Sequence, residues 1–560
     1  MRKILLLVTG LLVSLVTNAQ VASRFNYGVI RLGNNMIDSA GFVKILFPTQ
    51  AAAVSTGTIR SAVSGASGVN YSVSEGIFSI NNTYINTLVD NRLKSYDGWD
   101  AAVSKVLSTT GTTFKWVVAS ISSGTTTTGG GNAQVSPRDT ALFYADTTMG
   151  RITLATMTSL TLTTEAQIRS FLTTNQTNVN ATVLDQNLVL SSSLQQTGIW
   201  NNVYFHSQTI GGTTFRYDGG SIVFVFTNTH TVNRVKVGGF KIVSHYTGTS
   251  YPMFFSNELV GGDGLEIADL DVTSDGNGVY NAIGMSQYST GSSSGALIKH
   301  VWWSRINTHD VGRSNEWLSQ GYDYARILGL AITNSRFTNM GLNDQHGFGA
   351  SLSGLIKGVL LLGNVYTNCR NICNELVNVQ YAITMNSTYL VNTANVVTGI
   401  GISDDGVNST KYIYVENNTM NVTGRPAYIY GASYITFQNG GTYTGRYGVD
   451  MTSSNCTFKN FTVNVWDKVS TGGGGTSFAW QVDVAASNNL FDNVTISSSN
   501  TIGNGGLYAH EVLVVKGSNN TIQNSTLIQG KQSNGTYYGY IYANSGTGNT
   551  LTNTPQQNGI

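Results

Sequence analysis

The chain is short of the residues that usually advertise chemistry. In 560 residues it has three cysteines, five prolines and seven histidines, and only 11% of its residues are charged. Cys369 and Cys373 lie four apart, without the paired spacing or histidine partners of a zinc site. They read either as one disulfide or as two buried thiols, and Cys456 stands alone. The formal net charge is +2. With no basic stripe this argues against a nucleic-acid partner, and with no charge run it argues against an anionic membrane surface. No apolar run is long enough to span a bilayer.

What is present is enough to bury a large core. Hydrophobic residues make up 41% and aromatics 10%, while 63 glycines against five prolines indicate many turns and few lost backbone donors. The first twenty residues carry Arg2 and Lys3, an apolar stretch from Ile4 to Val16, and the small-residue site Thr17-Asn18-Ala19. That pattern predicts a signal peptide over residues 1–19, and hence a secreted or cell-surface protein.

Residues 20–121 mix one or two short helical patterns with a strand, which predicts a small mixed domain, either for attachment or of unknown role. Residues 122–163 begin with the Gly/Thr tract SSGTTTTGGG and are expected to form a linker or neck. TTEAQIRSFLTT is the clearest helix: Thr164 can cap it, and Ile168, Phe171 and Leu172 make one apolar face.

From there to residue 560 the chain repeats one grammar. ILGLAITNSRFTNMG, IKGVLLLGNVYTNCR and YIYVENNTMNVTG each give an apolar strand, an Asn corner, a second short strand and a polar loop. Asn suits such corners because it tolerates the left-handed conformation and its amide can bond the Asn of the next coil. This grammar resembles the right-handed parallel β-helix of the pectate-lyase-like superfamily. The resemblance implies an all-β solenoid over 164–560, with 164–174 as a short N-terminal capping helix. It also implies a lyase, hydrolase, epimerase or depolymerase acting on a polysaccharide or cell-surface glycan, as a monomer or a homotrimer. The competing reading is a non-catalytic adhesin or structural spike.

The stretch SRFTNMGLNDQHGFGAS gathers polar groups. Aligning Thr308, Asn339 and Asn368 as successive corners brings Asn315, His346 and Glu375 into one column, with Glu316 beside the first. Arg313, Asp344 and Cys373 fall in another. Glu316, His346, Glu375, Asp344 and Arg313 then have the parts for acid–base catalysis: a base titrating near neutrality, a proton donor and a cation for developing negative charge. Arg370, Trp303, Tyr322 and Tyr324 are expected to bind sugar rings, the aromatics through their faces. The alternative for those aromatics is core packing. Asp404 and Asp405 could hold calcium, act as a catalytic pair if a turn aims both outward, or form only a solvated turn. They resemble the paired aspartates of polygalacturonase-like hydrolases, but the Gly-His-Gly and Arg-x-Lys elements of that family do not follow them. STGGGGTS lacks the lysine and helix of a phosphate loop.

Overall fold

A computed structural model describes residues 136–558 apart from position 221 and the segments 227–230, 249–253, 257–260, 275–277, 279–280, 288–296, 320–325, 407–408, 467–476, 499–509 and 531–539. Before residue 136 it describes only short strands. The expected export signal, the helices before residue 121 and the first part of the linker lie outside the described residues, as do Tyr322 and Tyr324. The chain divides into two compact units, Met1–Gln134 and Val135–Ile560.

The second unit is a solenoid of parallel strands, most of them paired with the strand three places further along the chain. Ile298–Ser304, Asn307–Val311 and Asn315–Ser319 make one coil, and their successors stack on them in register. The three strands of each coil belong to three ladders, here A, B and C in chain order. Inward positions form continuous apolar columns. Leu265, Val301, Leu330, Val359, Ala382 and Ile413 follow one another along ladder A, all buried. Tyr366 stacks between Phe337 and Tyr389 along ladder B, with ring centroids 5.2 and 4.8 Å apart.

Corners from A to B are turned by residues at positive φ. Asn386, Asn417, Asn439 and Asn460 have φ of 54°, 49°, 51° and 58°. The Asn417 amide donates to Asn386 at 2.6 Å, and that of Asn460 to Asn439 at 3.0 Å. These partners are 31 and 21 residues apart, so coil length varies while the corner does not. At the end of ladder B, Asn339 and Asn368 turn with φ of 52° and 51°. Their equivalent one coil earlier is Asp310, φ 55°, which accepts from the Asn339 amide at 2.7 Å. Thr308, expected at that corner, pairs instead with Phe337, two residues out of step. An aspartate has replaced the asparagine, keeping the acceptor oxygen and the tolerance of this conformation.

Among the described residues, two helices precede the coils. Helix α1 is Pro137–Tyr144 and helix α2 is Glu165–Thr173. In α2, Thr164 and Gln167 form a reciprocal capping box. Its Ile168, Phe171 and Leu172 join the core, with the Phe171 ring 5.3 Å from that of Trp200. Helix α1 departs from the linker expectation: it packs on the outside of ladder A. Ala141 and Ala145 bury against the outward-facing Ala331, Leu360 and Ile383. Arg138 forms a bidentate pair with Glu416 at 2.7 and 2.8 Å. Further on, the Arg151 guanidinium lies 3.4 Å over the Trp302 ring and 2.5 Å from Glu266. Residues 136–151 thus form a strap across successive coils. It fits because Gly329 and Gly358 lack side chains: a Cβ at Gly329 would stand 1.8 Å from the Tyr144 carbonyl oxygen, and one at Gly358 1.9 Å from the Tyr144 Cβ.

All three cysteines are free and buried. Among the described residues no helix is long and apolar enough to cross a membrane.

The strap predicts an asymmetric pair of glycine substitutions. Gly406 has φ +84° with nothing among the described residues near its missing Cβ, so Gly406→Ala should cost only the left-handed strain of about 1–2 kcal/mol. Gly358→Ala, at φ +75°, adds displacement of Tyr144 and should cost clearly more in chemical denaturation. It should also open residues 136–151 to limited proteolysis. Equal losses at the two positions would refute the packing described.

Candidate functional site

Ladder C carries the polar face. Its register places Glu316 beside Ser351, Ser351 beside Glu375, and Glu375 beside Gly401. Glu316 and Glu375 therefore stand in one outward column two coils apart, with a serine between them. The column expected from the sequence had His346 in that middle place. The correction has a simple cause: residues 341–349 form an extra loop before the strand Ala350–Leu362 begins. His346 lies on that loop, five residues ahead of Ser351.

The loop nevertheless carries His346 and Asp344 to the column. Asp344 Oδ1 accepts from the His346 backbone N–H at 2.8 Å, and the His346 Nδ1 lies 2.6 Å from the same oxygen. This fixes the ring from one side, the first requirement of a histidine held for proton transfer. Arg313 Nε sits 3.8 Å from Glu316 Oε1 and 4.0 Å from Asp344 Oδ2. That nitrogen is buried and makes no hydrogen bond among the described residues, so the guanidinium meets the two carboxylates through charge rather than through this N–H. Arg313, Glu316, Asp344, His346 and Glu375 are thus brought together.

Their electrostatics differ. Burial pushes the Glu375 carboxyl above the usual range, and Glu316 pushes it the same way. The Ser351 hydroxyl, donating to Glu375 Oε2 at 2.5 Å, and His346 act against this. For Asp344, partial burial opposes ionisation, but the backbone N–H and ring of His346, with Arg313, hold its carboxyl below the usual range. The site strengthens one carboxyl's hold on its proton and weakens the other's, a separation of the kind acid–base sites use.

The remaining expected residues part company. Arg370 braces the loop, its Nη1 donating to the Gly341 carbonyl at 3.2 Å and its backbone N–H to that of Gly347. Trp303 is not a sugar platform: it is 0% exposed and packs in the core against Phe254 and Trp317. Its neighbour Trp302 points outward, because alternate residues of a strand face opposite ways, and there the strap covers it. Asp404 caps its own turn by accepting from the Gly406 N–H at 2.7 Å, and Asp405 follows it in that turn. Among the described residues no group of three or more His, Cys, Asp or Glu side chains could hold a metal ion, so the calcium expectation gains no ligand set at Asp404 and Asp405.

Sequence reasoning missed Ser351, whose setting in GASLSG gives no signal without the register. It also missed the continuation of the column through Tyr428, Asp450 and Gln481. A signal existed there: AYIYG alternates, which puts Tyr428 and Tyr430 on one face.

No family model matches the chain, and no curated protein does. Among solved structures it is similar to the A-module of mannuronan C-5 epimerase AlgE4 of Azotobacter vinelandii, at 13% identity and TM-score 0.35, over 73% of this chain and 96% of that one. An alginate lyase from Paenibacillus sp. str. FPU-7 gives 10% identity and TM-score 0.27, over 72% and 98%. The Family 28 exopolygalacturonase of Yersinia enterocolitica gives 8% and 0.29, over 72% and 78%. What those proteins act on is theirs. The chemistry of this chain is read from its own side chains.

The environment of Glu375 makes a stability prediction. With its affinity for a proton raised on folding, the folded chain holds that proton more tightly than the unfolded one. The associated stability is full below the unfolded value, about 4.3 for glutamate, and is lost as pH rises through the folded value. Glu375→Gln cannot ionise and escapes that loss. It should therefore unfold at a higher temperature than the wild type at neutral pH, with the difference shrinking on acidification. A difference that grows on acidification would mean that the carboxylate, not the acid, is the favoured form in place.

Proposed function

We propose that the protein is an exported glycan hydrolase built on a right-handed coil of the pectate-lyase-like kind, acting on a neutral polysaccharide laid along ladder C. The observation that carries this reading is the pairing of Glu316 and Glu375 in one outward column, two coils apart, in unlike environments.

Each group has a role its surroundings favour. Glu375, whose hold on its proton burial strengthens, gives that proton to the glycosidic oxygen as the bond to the anomeric carbon breaks. Glu316 takes a proton from the water that attacks that carbon. Two coils separate the backbones by about 9–10 Å, and the Ser351 hydrogen bond draws the Glu375 carboxyl toward the middle coil. That spacing suits the arrangement with a water between the carboxyls, about 6.5–9.5 Å, better than the about 5–5.5 Å of a direct nucleophile. Inversion at the anomeric carbon is the expected outcome. His346, oriented by Asp344, holds sugar hydroxyls beside the reacting bond, and Arg313 offsets the charge of Glu316 and Asp344.

Charge favours a neutral substrate. Glu316 and Asp344 flank one guanidinium, so a uronate polymer would meet more repulsion than attraction. Export is the cellular setting that the leader expected over residues 1–19 would give.

The test is hydrolysis of neutral linear polysaccharides by the full-length mature chain, with the product anomer read by NMR. Glu375→Gln and Glu316→Gln should each cut turnover by roughly 10²–10⁴-fold while glycan binding persists. Binding by the wild type without turnover would replace this reading with the non-catalytic adhesin. A retained anomer would sink the water-between-carboxyls arrangement.

A further inference from the structure

The outward column does not stop at Glu375. One coil on it reaches Gly401, then Tyr428, Asp450 and Gln481. Gly401 removes a side chain from the column and leaves a notch between Glu375 and Tyr428. Its missing Cβ would meet only the Ile372 side chain, at 3.2 Å, and its backbone is not at positive φ. Beyond the notch, Tyr428 and Tyr430 present near-parallel rings, 6° apart in tilt and 5.9 Å between centroids. Tyr430 is 49% exposed. Burial and the nearby Asp450 raise the Tyr428 hydroxyl above its usual range, so it keeps its proton and can donate.

The polar groups around these rings are planar and held in place. Arg425 Nη1 donates to Asp450 Oδ2 at 3.2 Å, and its guanidinium lies 5.9 Å from the Tyr428 ring centroid. Gln481 Nε2 reaches Asp450 Oδ1 at 3.4 Å. Such pairs offer spare oxygens and N–H groups to a ring of hydroxyls, while the tyrosine faces offer apolar area to its C–H surface. No requirement of the core explains two tyrosines on this outward face.

We propose that Tyr428 and Tyr430, with Arg425, Asp450 and Gln481, form a binding subsite for the same neutral glycan. The sugar chain runs parallel to the solenoid axis from the carboxyl pair toward the C-terminal coils. This rests on the glycan reading above and extends it: the rise of about 4.8 Å per coil is close to the advance of one pyranose unit in an extended chain. Successive sugars therefore meet successive coils, and the unit between Glu375 and Tyr428 sits over Gly401. The binding energy is spread over several units on one side of the reacting bond, so the protein selects long chains.

The test uses the full chain carrying Glu375→Gln, to prevent turnover, and calorimetric titration with cello-, manno- and laminari-oligosaccharides of graded length. In that background affinity for the bound series should rise with length and level off once the column is filled. Adding Tyr428→Ala and Tyr430→Ala together should weaken the long members roughly tenfold and flatten the rise. Tyr428→Phe with Tyr430→Phe keeps the faces and should retain most of it, which separates stacking from any loss of folding. Gly401→Leu should block the long members. If the alanine pair binds long members as tightly as its parent, or the phenylalanine pair is as weak as the alanine pair, the subsite is refuted while the glycan reading stands. If the parent binds no member of any series, both fall together.

Discussion

A parallel solenoid stands or falls on its corners. Each coil must reverse direction within one or two residues, which requires a residue in the left-handed region at a cost of about 1–2 kcal/mol for anything but glycine. Here asparagine carries most of that burden, and its amide recovers part of the cost by bonding to the coil beside it. The corner then sets everything downstream. Asn339 and Asn368 line up one strand on the next along ladder B, and register in the ladder that follows decides which side chains share a column. The same rule explains a less ordinary corner, where Tyr381, Tyr412 and Tyr434 hold φ of 58°, 60° and 56°. Their rings stack at 5.1 and 5.2 Å, a contact that offsets the strain each backbone carries.

Register also creates the inequality on which the candidate chemistry depends. Glu316 and Glu375 occupy equivalent places on coils two apart, yet their surroundings differ. The loop 341–349 rises beside the middle coil, delivering His346 and Asp344. Arg313 attends the Glu316 side, while Glu375 lies deeper and is bound by Ser351. Repetition supplies two like groups, and a single irregular loop makes them unlike.

Much of the architecture could be read from residues alone because the physics of a corner is local. The Asn periodicity, the cap at Thr164 and the apolar face of Ile168, Phe171 and Leu172 are all visible without coordinates. The site was legible in membership but not in order. Counting seven residues from a corner fails when a loop of variable length lies between corner and strand, as it does at His346. The aromatics misled for another reason: in HVWWSR one tryptophan must face in and the other out, and composition cannot say which. Trp303 went in. Helix α1 was overlooked although its signals were present, with Ser136 capping, Pro137 at the first position and Asp139 in the first turn. Its landing place was marked as well. AIT and LLLG have apolar residues at both parities, which is how a strand covered on both faces reads.

Solenoids ordinarily assemble by neighbour contacts, so that each coil can settle as soon as the one before it exists. The strap breaks that locality. Arg138 finds its partner in Glu416, 278 residues later in the chain, whereas an adjacent coil is only 20 to 36 residues away. During synthesis, residues 136–151 emerge first and must wait until the coils they lie across have formed. Closing so long a loop is slow relative to stacking coils. The strap can be fully seated only after the coil of Glu416 has formed, and the apolar row Ala331, Leu360 and Ile383 stays uncovered until it is.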